Sequence, residues 1–276
     1  MLSLAVVLAG CSAVQLGYNT LPEISYWWLD GYLDFEDGQR EQVRGGIAAI
    51  QAWHRAHELP HYAALVRRVE LLAPADTTPG QLCALEPELR SRIGAIRERV
   101  EATASAIVPV LTAAQLEHLE RKYAQRNREY RKDWVRLPRP EQLDKRAKEY
   151  VDRAATLYGR LDDDQQALVR QLMETSALDP GLILAERQRR QQDTIAVLRR
   201  LAGASPDESR MALRALFDRM LDSPDPAFRA YVDTMRAETC RISAAIHNST
   251  NASQREHAAR RLRGWRRDFA ELAARR

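Results

Sequence analysis

The sequence predicts an all-α protein, an elongated multi-helix bundle of about ten helices with no sheet. Three observations carry this. Gly and Pro number only 12 each in 276 residues, too few for many short strands joined by tight turns. Pro repeatedly follows an N-cap side chain, at Thr78-Pro79, Asp179-Pro180, Ser205-Pro206 and Asp225-Pro226, which is how helices begin. Apolar residues recur at helical spacing, and no run bounded by turn residues alternates with period two.

Residues 1–10, MLSLAVVLAG, are apolar or small and resemble the end of an export signal, although no Lys or Arg precedes them. Leu8-Ala9-Gly10-Cys11 looks like a bacterial lipobox, which implies cleavage after Gly10 and a lipid thioether on Cys11. Only a thiol supplies the nucleophile for that modification. Ser12 stands where an Asp would resemble an inner-membrane retention signal, so the expected site is the outer membrane, facing the periplasm. Residues 11–20 are then a lipidated N-terminus and tether, and 21–276 a single helical domain.

The first helix is expected over 22–35, where Ile24, Trp28, Tyr32 and Phe35 share a face and should dock on the core. Trp27 points elsewhere, towards a membrane interface or a ligand. Helices over 38–58 and 61–73 follow. A long one over 79–109 starts at the Thr78 cap and carries Ile93, Ile96, Val100 and Ile107, the apolar spacing reaching Val110 just beyond it. The pair Thr112 and Gln115 forms a capping box that opens 113–136. Helices over 140–158, 163–177 and 180–203 come next, and the Ser205–Glu208 box opens 206–222. The last helix, 226–275, should break near His247–Asn251, where Asn251 and Gln254 form a third box. Beyond it Leu262, Trp265, Phe269 and Leu272 make one stripe.

With Cys11 assigned to lipid, Cys83 and Cys240 remain, and an oxidising compartment favours a disulfide between them over two buried thiols. His57-Glu58-Leu59-Pro60-His61 matches the zinc-protease pattern H-E-x-x-H, which needs both His on one helical face. Pro60 spoils it, because proline ends the helix before it and starts another. No nucleophile elbow or phosphate loop is present, and Gly45-Gly46 lacks a preceding strand. The acids Asp30, Asp34, Glu36 and Asp37 lack calcium-loop spacing. Neither enzyme activity, a cofactor nor a metal is expected.

Residues 121–148 hold eleven Lys and Arg against four acids, and 255–276 hold eight Arg against three. Such stretches bind anionic lipid or acidic glycans, or are simply solvated helix faces, and nucleic acid is not an expected partner of an exported chain. The expected partners are the membrane, through the lipid, and an envelope protein or an unfolded client.

Two resemblances add to this. Cys11, Tyr18-Asn19, Tyr26-Trp27-Trp28-Leu29-Asp30, Trp53-His54, Leu59-Pro60, the Cys83 segment, Tyr123-Ala124 with Asn127, Leu157 to Leu161, and His247-Asn248-Ser249 through Gly264-Trp265 resemble an uncharacterised family of Gram-negative lipoproteins. That resemblance implies a lipid-anchored helical protein and no activity. Leu111-Thr112-Ala113-Ala114-Gln115 is similar to the L-T-x-x-Q motif of periplasmic stress chaperones such as Spy and CpxP. Leu161-Asp162-Asp163-Asp164-Gln165 looks like a degenerate copy, with Asp162 in place of Thr. The same residues also read simply as helix caps. The function expected is a non-enzymatic structural or adaptor role, with a chaperone or peptide-binding role as the alternative.

Overall fold

A computed structural model describes residues 13–275. Twelve α-helices occupy them: α1 (Ala13–Leu33), α2 (Asp37–His57), α3 (Leu59–Leu72), α4 (Pro79–Cys83), α5 (Glu86–Ile107), α6 (Ala113–Tyr130), α7 (Arg139–Tyr158), α8 (Asp163–Glu174), α9 (Pro180–Arg200), α10 (Pro206–Leu221), α11 (Pro226–Asn248) and α12 (Ala252–Ala274). A 3₁₀ turn (Val108–Val110) follows α5 and a π turn (Arg131–Val135) follows α6. No strand occurs among the described residues.

The expected N-caps form as read. Thr78, Thr112, Asp179, Ser205, Asp225 and Asn251 all accept a backbone N–H from the first turn of their helix. The expected 113–136 helix passes into a π turn after Tyr130, and the expected 163–177 helix stops at Glu174. The two larger differences from the sequence reading both involve proline. Residues 13–20, expected as tether, are helical, and α1 runs straight through Pro22. Pro22 has no N–H to give the Tyr18 carbonyl. Gln51 of α2 supplies it instead, its Nε2 lying 2.8 Å from that oxygen. The expected 79–109 helix is two helices, because Pro87 opens α5 and its ring would clash with the carbonyl of Cys83. The last expected helix does break, at Ser249–Thr250, giving α11 and α12.

The second six helices repeat the packing of the first six. Within each half the first helix packs on the second and on the sixth, as α1 on α2 and α6, and α7 on α8 and α12. The second packs on the fifth, as α2 on α5 and α8 on α11. Between halves, the third helix of each lies on the sixth of the other, α3 on α12 and α9 on α6. The fourth of each lies on the fifth of the other, α4 on α11 and α10 on α5. The halves are therefore intertwined, and α12 returns to the first third of the chain. Gly46 permits the close approach of α2 to α5, since a Cβ there would stand 2.1 Å from Cγ2 of Thr103.

Two apolar clusters form the interior. One gathers Tyr26, Phe35, Val43, Leu111, Leu116 and Leu119 with Ile195, Leu198, Leu213 and Leu216 from the second half. The other gathers Ala147, Leu161, Val169, Met173, Ile242 and Ile246. Leu262 and Leu272 of the expected C-terminal stripe are buried, and Phe269 meets Tyr62 of α3.

Cys83 and Cys240 form the disulfide, with Cα atoms 5.6 Å apart and 157 residues between them in sequence. It fastens the five-residue α4, too short to hold itself as a helix, to α11. Linking so distant positions removes much unfolded-state entropy, about 5 kcal/mol at most for a loop this long. Replacing both cysteines by Ala should lower the melting temperature by roughly 5–15 °C, read by circular dichroism. An unchanged melting temperature would show that packing alone positions α4.

Candidate functional site

The L-T-x-x-Q-like residues lie at helix starts, and the fold pairs each with a second helix start, α6 with α2 and α8 with α12. Leu111, Thr112 and Gln115 open α6, where Gln115 meets Gln39 from the first turn of α2. Leu161, Asp162 and Gln165 open α8, where Gln165 meets Gln254 from the first turn of α12. The two motifs do not meet each other; each belongs to its own half.

Both pairs have one geometry. Gln115 Nε2 donates to Gln39 Oε1 at 2.6 Å and Gln39 Nε2 donates back to Gln115 Oε1 at 3.2 Å. The second pair repeats this at 2.7 and 2.9 Å. Each amide also donates to the carbonyl two residues ahead of its partner's cap. Gln39 reaches Val110 O at 2.9 Å and Gln115 reaches Asp34 O at 3.0 Å. Gln165 reaches Ser249 O at 2.9 Å and Gln254 reaches Arg160 O at 3.0 Å. Each Oε1 finally accepts the backbone N–H of its own cap, at Glu36, Thr112, Asp162 and Asn251. Two donors and two lone pairs per amide are thus all used. All four glutamines are buried, as are the residues just ahead of the caps, Phe35, Leu111, Leu161 and Thr250.

Other sequence candidates fall differently. Cys11 and the lipobox lie outside the described residues. In the H-E-x-x-H segment α2 ends at His57 and α3 begins at Leu59, with Pro60 in its first turn, so the two His do not share a helix. Glu58 between them is buried and faces Arg92 at 3.7 Å. His54 meets the Tyr18 hydroxyl at 3.0 Å, and burial pushes its imidazole below the usual value. No group of three metal-ligating side chains occurs among the described residues. Of the four residues expected against the core, Tyr32 and Phe35 do pack there, but Ile24 and Trp28 are exposed, and Tyr26, Leu29 and Leu33 face inward in their place. Much of the C-terminal Arg run is paired, Arg255 with Asp76, Arg260 with Glu256, and Arg263 and Arg266 with Glu70.

The residues that carry the lipoprotein resemblance hold helices and loops together. Tyr158 donates its hydroxyl to His247 Nδ1 at 2.9 Å, and His247 Nε2 lies 2.8 Å from Ala75 O. Burial pushes the Tyr158 phenol up to about 12. Asn248 bonds both the N–H and the carbonyl of Thr77. Together these contacts tie the loop before α4 to α11.

A groove of about 590 Å³ opens between α6 and α9, lined by Tyr123, Asn127, Arg128, Arg131, Gln188 and Gln191 among others. Arg128 and Arg131 make no salt bridge among the described residues, and Asn127 donates to Gln191 at 2.6 Å. Beside it, burial would raise the Glu186 carboxyl, but hydrogen bonds from Arg189 and Arg190 outweigh that and hold it at about 2. Arg219 of α10 binds Asp193 through two bonds of 2.8 and 2.9 Å, so this charge network ties α9 to α10.

Residues 31–220 match a family of unknown function, DUF6279. The chain belongs to this family. The match reaches from the end of α1 into α10 and so spans parts of both halves, including Gln39, Gln115 and Gln165. No curated protein and no solved structure matches the chain.

Two expectations follow from this geometry. Removing one glutamine strands its partner's amide, a cap N–H and a buried carbonyl, so Gln165→Ala should cost about 2–4 kcal/mol in urea unfolding. A double-mutant cycle with Gln254→Ala should show coupling of about 1–3 kcal/mol, whereas Gln115→Ala and Gln165→Ala should add within about 0.5 kcal/mol. Coupling between the latter two would contradict the pairing. The second expectation concerns acid. A carboxyl held below its usual 4.5 stabilises the fold above that pH and loses the contribution as pH falls towards 2. Melting temperature should therefore fall more steeply over that window for the wild type than for Glu186→Gln.

Proposed function

We propose that the chain is a lipid-anchored envelope protein, held by Cys11 to the outer membrane and facing the periplasm, with a non-enzymatic structural or adaptor role. The observation that carries this reading is the Cys83–Cys240 disulfide. Such a bond persists in an oxidising compartment and is rare where cellular thiol pools keep cysteines reduced. It supports export independently of the lipobox residues, and the two agree. The body suits an adaptor: intertwined helices give a stiff frame, and its interior polar groups are largely occupied with each other.

A second reading, a peptide-cradling chaperone similar to Spy and CpxP, gains from one feature. The α6–α9 groove offers an aromatic ring, side-chain amides and the guanidinium groups of Arg128 and Arg131, which make no salt bridge among the described residues, and its one lining acid, Glu120, is paired with Arg199; this suits an extended acidic peptide. The motif glutamines themselves add nothing to it, because their hydrogen bonds are used internally. Suppression of client aggregation that Arg128→Glu abolishes would favour this reading over the adaptor.

The anchor gives the direct test. Acyl chains contribute about 0.8 kcal/mol per buried CH₂, and several chains together exceed any reversible peripheral contact. Expressed behind a complete export signal, the wild type should incorporate labelled palmitate and sediment with membranes, and Cys11→Ala should do neither. Labelling that survives the substitution would overturn the anchor.

A further inference from the structure

We propose that the outward face of α1 lies on the lipid surface, as an interfacial helix next to the anchor. Leu16, Leu21, Ile24, Trp27 and Trp28 are all exposed, Trp27 by 62% and Trp28 by 60%. At 100° per residue they fall on one side of the helix, opposite Tyr26 and Leu33. Among the exposed residues of α1 only Glu23 is charged, and it sits at the edge of this face. Arg44 of α2 holds both Glu23 oxygens, at 2.6 and 2.8 Å, with its guanidinium carbon 3.7 Å above the Tyr26 ring. A contiguous apolar face of this kind marks an interaction site on a protein surface.

The duplicated fold supplies an internal control. α7 occupies in the second half the place that α1 occupies in the first. Its outward face carries Glu141, Asp144, Lys148, Asp152 and Arg153, as a water-facing helix should. The apolar face is therefore not a demand of the architecture. It is particular to the helix whose described residues begin two positions after Cys11. Paired tryptophans suit the boundary between head groups and acyl chains, where an apolar ring and a polar N–H are both accommodated. No helix among the described residues is long and apolar enough to cross a membrane, so α1 lies along the surface.

The inference rests on the anchoring proposed above, and its test separates the two. The full lipidated chain is reconstituted into phosphatidylethanolamine–phosphatidylglycerol vesicles with brominated acyl chains. Bromine should quench part of the emission of the five tryptophans, and that part should vanish in Trp27→Phe/Trp28→Phe. In a second arm the full chain with Cys11→Ser is added to the same vesicles. It should partition weakly, Ile24→Glu should weaken partition by about tenfold or more, and Met211→Glu, on an exposed site elsewhere, should not. A lipidated chain held on vesicles without quenching of Trp27 and Trp28 overturns the inference while the anchor stands. Partition of an unlipidated chain that Ile24→Glu removes supports the inference even if Cys11 proves unmodified. A stable dimer in solution that Ile24→Glu splits assigns the face to a second copy and overturns the inference.

Discussion

A buried primary amide is costly unless both of its donors and both of its lone pairs find partners, and very few environments supply all four. Two glutamines facing each other supply half of that requirement, and two helix starts supply the rest through a cap N–H and a carbonyl on the incoming loop. This mutual satisfaction fixes more than a local contact. Because Gln39 holds Val110 and Gln115 holds Asp34, neither loop can shift without breaking bonds made by the other. The residue just ahead of each cap is thereby delivered into the interior, Phe35 and Leu111 into one apolar cluster and Leu161 into the other. The positions of α2 and α6, and of α8 and α12, follow from these two clasps. The helices that pack on them across the halves follow in turn.

How much of this was legible in the sequence depends on how local each cause is. A cap and its box lie within four residues, so Thr112, Ser205 and Asn251 could be read directly, as could the break before α12. Gln39 gave no such signal, because Glu36 is not a usual cap residue. The continuation of α1 through Pro22 was hidden for a different reason: the group that replaces the missing bond, Gln51, lies on the next helix. Periodicity correctly grouped Ile24 with Trp28, but it cannot say which side of a helix is inside. Tyr26 and Leu33 took that role, and the more apolar side was left facing out. The repeat itself leaves almost no trace, since its halves share positions of caps and glutamines more than residue types.

The tempting chemical patterns fail for reasons equally physical. H-E-x-x-H needs one uninterrupted turn between its His residues, and Pro60 places a helix junction there. The basic C-terminal stretch looks like a binding surface in sequence, yet α12 spends many of its guanidinium groups on Asp76 and Glu70, which belong to the first half. There they draw α3 and the loop before α4 against α12. Charge that recognises the rest of the same chain is indistinguishable, along the sequence, from charge that recognises something else.

Duplication also makes departures from symmetry informative, because the architecture satisfies both halves equally. The contact between a fourth helix and the opposite fifth helix occurs twice. Between α10 and α5 it rests on ion pairs, Arg97 with Asp218 and Arg214 with the buried Glu101. Between α4 and α11 it is covalent. The 16-residue α10 presents enough surface to pack, with Leu213 and Leu216 buried, whereas the five-residue α4 buries no residue fully. A short segment that cannot contribute apolar area needs a bond that does not depend on area, and the disulfide meets that need only where oxidation is maintained. The segment that buries none of its residues fully is thus the one the fold holds covalently.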